Sequence, residues 1–254
     1  MSLRLISQVL FLSLLFTPLL PSCVKTEKGI LLSQELELLA SYPLAVDDPS
    51  GLSRSHMEDH LFTVSDNSGN IYLIDKRGVV KQVIHAGGDD LEGIEFVEET
   101  ATIYMLEERL KKVISIDLNG NALDTFWLDI PVQNPNDGPE GIAYNPQKQH
   151  FYIVNEKNPS RLYVYNTRFE LLEEYPLNFA LDYSSVDYTE KGNHLWILSD
   201  ESKLLARCNL KGEPDKLFYT DVPKGEGVVV DIAAERIYIV CDESRKLYIF
   251  RLPV

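Results

Sequence analysis

The chain has 254 residues, 44% hydrophobic and 25% charged, enough apolar content for the core of one ordinary β domain. Its formal net charge of −15 excludes nucleic acid and anionic lipid as partners of the folded body, because both need a basic surface. Cationic partners stay open.

Residues 1–22 carry one basic side chain, Arg4, then an apolar stretch from Val9 to Leu20, then Pro21 and Ser22. An apolar run of this kind followed by small residues reads as a secretory signal and not as a spanning helix. Leu20-Pro21-Ser22-Cys23 matches a bacterial lipobox in its Leu, its Ser and its acceptor Cys, although Pro is less usual at the position between. The expectation is cleavage after Ser22 and lipidation of Cys23, holding the protein at a membrane of the bacterial cell envelope, at the outer membrane or periplasmic face. An ordinary cleaved signal with Cys23 incidental is the alternative. Residues 23–35 are polar and aperiodic, as suits a tether, and residues 36–254 form the globular body.

Within that body a turn motif recurs five times: Ser50-Gly51-Leu52, Glu92-Gly93-Ile94, Glu140-Gly141-Ile142, Ser184-Ser185-Val186 and Glu226-Gly227-Val228. Their central residues are separated by 42, 48, 44 and 42 positions, the period of β-propeller blades. Each motif opens a first strand, such as Gly93–Val97. A polar hairpin and a second, continuously apolar strand follow, such as Phe151–Val154 or Ile237–Val240. Runs of that kind are covered on both faces, as in stacked blades. A third strand (Lys112–Asp117, Arg161–Asn166) and a more polar fourth (Leu171–Leu177) complete the unit.

The last repeat stops at Val254 after three strands, while residues 36–44 match the fourth strand of the third repeat. The sequence therefore predicts an all-β fold: a five-bladed propeller of four-stranded antiparallel blades, with the N-terminal strand closing the last blade. Six blades, the alternative, need about 40 more residues than the chain holds. Cys208 and Cys241 fall in different blades and read as buried thiols.

First strands line a propeller's channel, so Glu92, Glu140 and Glu226 converge at one mouth, with Ser50 and Ser184 at the equivalent positions. The second strands end on the same face in Asp66, Glu108, Glu156, Asp200 and Asp242, and no Lys or Arg recurs there. Three carboxylates about 6 Å apart at an effective dielectric near 20 repel by about 8 kcal/mol in total. Oxygen-only ligands favour Ca²⁺ as the compensating ion. A second reading is that each Glu accepts hydrogen bonds from nearby amides while the adjacent Gly supplies a special backbone conformation. The outer five acids read first as hairpin residues. His56-Met57-Glu58-Asp59-His60 falls in a hairpin at the opposite face, with His150 and His194, and reads as a solvated loop. No nucleophile elbow, phosphate loop or Cys-x-x-Cys is present.

The order Ser-Gly, Glu-Gly, Glu-Gly, Ser-Ser, Glu-Gly, with Asp90-Leu91-Glu92-Gly93-Ile94 and Gly138-Pro139-Glu140-Gly141-Ile142-Ala143-Tyr144 as its best pieces, resembles the SdiA-regulated family of bacterial envelope proteins. Ser185 departs from the pattern where glycine is usual. The resemblance implies a propeller with bound calcium and no particular activity. More distantly, the fold is similar to calcium-dependent lactonase and phosphotriesterase propellers, which implies a second function: a metal-dependent esterase, lactonase or phosphodiester hydrolase at the channel mouth. Those families also use Asn ligands, which do not recur here. The first function is a tethered, calcium-binding module that presents its acidic mouth to a protein or small-molecule partner.

Overall fold

The computed structural model describes residues 24–26, 29–31 and 33–253. The signal segment and Cys23 lie outside the described residues. Five four-stranded antiparallel sheets form the ring. Blade one comprises Pro49–Arg54, His60–Ser65, Asn70–Asp75 and Val80–His85, counted from the channel outward. Blade two is Leu91–Val97, Thr102–Glu107, Lys112–Asp117 and Ala122–Trp127, and blade three is Pro139–Asn145, His150–Asn155, Arg161–Asn166 and Leu171–Pro176. Blade four is Ser185–Thr189, His194–Ser199, Leu204–Cys208 and Pro214–Tyr219. Blade five takes Gly225–Asp231, Arg236–Cys241 and Lys246–Arg251 from the C-terminal end of the chain.

Its fourth strand is Leu38–Pro43, which runs antiparallel to Lys246–Arg251 with Lys246 opposite Pro43 and Tyr248 opposite Ser41. The N-terminal closure expected from sequence is present, and it leaves no unpaired third strand at the seam. One pairing was not foreseen. Ser33–Glu35, at the end of the segment read as a tether, lies parallel to Pro214–Tyr219 on the outer edge of blade four. Ahead of it, Val24–Thr26 pairs antiparallel with Gly29–Leu31. Among the described residues no helix is long and apolar enough to cross a membrane.

Five apolar clusters hold the ring, one between each pair of neighbouring blades. The second strands supply their centres: Val64, Met105, Ile153, Ile197 and Ile239 are all 0% exposed. Cys208 and Cys241 are free and buried, in different clusters. At the axis the first strands approach so closely that side chains are excluded. A Cβ on Gly93 would lie 2.6 Å from the Glu140 carbonyl oxygen, and one on Gly227 would lie 2.4 Å from the carbonyl carbon of Gly51. Of Gly51, Gly93, Gly141 and Gly227, only Gly51 has a left-handed φ, at +55°. The recurring glycine thus answers mainly to backbone proximity, and outside blade one not to the special conformation that the second of the two sequence readings gave it. At the fourth repeat Ser185 Oγ accepts the Val228 N–H at 3.2 Å, so the side chain bridges to the next inner strand.

Candidate functional site

The glutamates reach the channel because of a β-bulge. In blade three Pro139 faces Asn155 and Gly141 faces Val154, which leaves Glu140 as the extra residue. Blade five repeats this with Gly225, Gly227 and the intervening Glu226; in blade two the register shift skips Glu92 and Gly93, and in blade one, where Ser50 stays paired with Val64, it skips Gly51 and Leu52. Blade four pairs regularly from Ser185 onward. A bulge shifts the register by one residue and re-aims the extra side chain, which is what convergence on the axis requires.

The resulting cleft has a volume of about 290 Å³ and is lined by Glu92, Glu108, Glu140, Glu156, Asp200, Glu226 and Ser184 from the expected set. Asn136, Asp182, Glu201 and Lys224 complete it. The acids separate into groups. Glu108, Glu140 and Glu156 each offer an oxygen within 4.8 Å of the other two, and Asp66, Asp90 and Glu92 form a second such trio. Glu226 instead meets Lys224 Nζ at 3.1 Å, and the same ammonium bonds Asp242 at 2.7 Å.

The partners differ sharply among the three inner glutamates. Ser50 Oγ donates to Glu92 at 2.6 Å. Glu226 has its lysine. Glu140 has no hydrogen bond or ion pair among the described residues, although its neighbours are well supplied. Glu108 accepts the Gly138 N–H at 2.8 Å, and Glu156 contacts Lys157 Nζ at 2.8 Å.

Burial is the largest influence on every one of these groups. It pushes Glu92 up to about 8, partly opposed by the Ser50 hydroxyl and reinforced by the charge of Glu226. It takes Glu108 to about 7 against the Gly138 amide. Glu140 is raised well above the ordinary carboxylate range by burial and then by the charges of Glu92, Glu226, Glu108 and Glu156. Glu226 is also raised, by burial that outweighs Lys224.

Other expected residues are already engaged. Ser184 Oγ donates to the Gly225 carbonyl at 2.8 Å. Asp200 contacts Lys203 Nζ at 2.8 Å and accepts the Gly225 N–H at 3.2 Å. Asp66 stands beside Asp90 and Glu92 and is raised by burial and the Asp90 charge. The hairpin reading of the outer acids therefore suits Asp200 and Asp242, whereas Glu108 and Glu156 belong with Glu140.

The expectation that no basic residue recurs at this face is corrected: Lys224, Lys157, Lys203 and Arg109 all pair with acids there. Lys224 was legible in principle, since it stands two residues before Glu226, immediately ahead of the strand Gly225–Asp231. Asp182 was missed because it lies in a loop. It is 3% exposed, bonds Ser199 Oγ and accepts the Glu201 N–H at 3.0 Å. At the opposite face the His56 ring rests on Phe62 and Phe96, with centroids 5.8 and 6.1 Å away, so that loop is more anchored than its polarity suggested.

The arrangement suits a hard cation. Calcium–oxygen bonds of about 2.5 Å put two oxygens on one ion at most about 5 Å apart, a limit that the 4.8 Å trio of Glu108, Glu140 and Glu156 meets with oxygen donors alone.

Glutaminyl cyclase from Myxococcus xanthus shares the fold with a TM-score of 0.69 at 11% identity, covering 86% of this chain and 98% of that one. Hydrazine synthase from Kuenenia stuttgartiensis matches at a TM-score of 0.54 and 15% identity, covering 78% of this chain and 56% of that one. At such identities the likeness concerns the fold alone. The family model of the SdiA-regulated proteins matches residues 33–251, nearly the whole described body, and the chain belongs to the SdiA-regulated family.

Proposed function

We propose that this propeller is a calcium-binding interaction module of the bacterial cell envelope, held to a membrane by lipid on Cys23, with its acidic mouth as the binding surface. One observation carries the calcium reading: Glu140 sits among four other acids with no partner of its own, while Glu92 and Glu226 are each satisfied within the chain. The ligands are Glu140 with Glu108 and Glu156, in place of the set Glu92, Glu140 and Glu226 expected from the repeat. Bound there, Ca²⁺ supplies positive charge and orders the mouth.

Saturating Ca²⁺ at a hundredfold excess over Kd raises stability by about 2.7 kcal/mol. Glu140→Gln is expected to abolish most of that gain, and Glu92→Gln much less. Denaturation of the purified protein in Ca²⁺ and in EDTA, with metal analysis, tests this. A protein that contains no metal and melts alike in both sinks it. Turnover of a lactone or phosphoester that disappears in EDTA would replace the binding module with the hydrolase. The envelope reading rests on the leader and Cys23, and Cys23→Ser is expected to move the protein from the membrane to the soluble fraction; retention at the membrane defeats it.

A further inference from the structure

The other end of the channel opens into a larger cleft of about 550 Å³, within the range of small-molecule sites. Arg54 and Glu95 from the first strands line it, and two residues past the motif centres blades one, two and four place Ser53, Glu95 and Asp187, of which Ser53 and Asp187 stand behind the lining. Arg54 Nη1 and Nη2 grip Asp187 at 2.6 and 2.9 Å, and Nη2 also donates to the Val230 carbonyl at 2.6 Å. Glu95 lies in the floor beside this pair. It accepts the Ser53 hydroxyl at 3.0 Å and the Tyr144 N–H at 3.1 Å, which fills two of a carboxylate's roughly four acceptor positions. Phe96, Tyr144 and Tyr188 contribute aromatic surface to the walls.

Charge decides what such a cleft takes. Asp187 matches Arg54, and Asp231 matches Lys76 at 3.2 Å. What remains is Glu95 in the floor and Glu98, Glu99 and Glu190 at the exposed rim, against Lys191 alone. Surplus acid over aromatic walls repels a carboxylate and attracts an organic cation, whose charge is also favoured over ring faces. Burial and then the Asp187 charge push Glu95 up to about 8 despite Arg54, so an ammonium that binds there near neutral pH displaces a proton from Glu95.

We propose that this cleft binds a small organic ammonium ion with an apolar body, its ammonium against Glu95 and its body against the rings of Phe96, Tyr144 and Tyr188. Only residues at this mouth are involved, so the inference stands apart from the calcium reading.

The experiment is isothermal calorimetry of the purified protein with phenethylamine and, separately, with 3-phenylpropionate, which carries the opposite charge on a matched ring and linker. Saturable binding of the amine is expected, at least tenfold tighter than any binding of the carboxylate. Glu95→Gln keeps the shape and removes the ability to ionise, and is expected to weaken the amine at least tenfold. Tyr144→Leu in the chain that keeps Glu95 is expected to weaken it several-fold, so ring and acid are read independently. An amine that does not bind, a carboxylate that binds as tightly, or an amine indifferent to Glu95→Gln overturns the proposal.

Discussion

Asp187 at one mouth and Glu140 at the other both occupy inner strands of the propeller, close to the axis, yet one is gripped by two guanidinium nitrogens and the other has no partner among the described residues. The difference begins with a single residue. Blade one puts Arg54 at the far end of its first strand, and from there the side chain reaches across the channel to blade four. At the near end Lys224 reaches Glu226 and Asp242, while Lys157, Lys203 and Arg109 pair with other acids, and Glu140 is left alone. A ring of five similar blades can therefore give Asp187 at one mouth an internal guanidinium and leave Glu140 at the other with none.

Arg54→Met is the substitution with the largest expected effect, because it strips the counter-charge from Asp187, which is 3% exposed, and from neighbouring Glu95. Breaking a buried pair from one side costs about 3–5 kcal/mol, and the half-exposed Arg54 side chain places this case near about 3 kcal/mol. Urea denaturation at neutral pH measures it. A loss below about 1 kcal/mol would mean that the far mouth does not depend on its internal cation, and the contrast between the two ends would fail.

Much of this was legible in the sequence, for a physical reason. Blade period, second-strand burial and closure by residues 36–44 all follow from hydrophobic patterning, which is local and repeats five times. The convergence of Glu92, Glu140 and Glu226 was legible too, because it needs only the repeat. Their partners were not. Ser50 meets Glu92 across 42 residues, Glu108 meets Glu140 across a blade boundary, and Arg54 meets Asp187 across 133 residues. Such pairings depend on rotamers and on a bulge that shifts the strand by one residue, and one sequence carries no trace of them. The Arg54 constellation was missed altogether, since Ser53, Glu95 and Asp187 share a repeat position but not a residue type.

A subtler test exploits the sign of proton linkage at the two mouths. Glu92 and Glu95 are pushed up to about 8 and Glu108 to about 7, in each case first by burial, from an ordinary value of 4.5. A carboxyl whose pKa is raised on folding holds its proton more tightly in the native state. Its contribution to stability is present in full below about pH 4.5 and is lost as pH climbs toward the folded value. The metal-free protein is therefore expected to lose stability between about pH 5 and 8, by at most about 1.4 kcal/mol per pH unit for each such group. Calcium reverses the argument only where it binds, since a cation favours the ionised acid. Denaturation at pH 5, 6, 7 and 8 in EDTA should show the decline, and Ca²⁺ should flatten the share due to the acidic mouth. The share due to Glu95 should persist in Ca²⁺ and vanish in Glu95→Gln. A metal-free protein whose stability rises from pH 5 to 8 would show that these acids are ionised and compensated in the native state, and the two mouths would then differ in geometry alone.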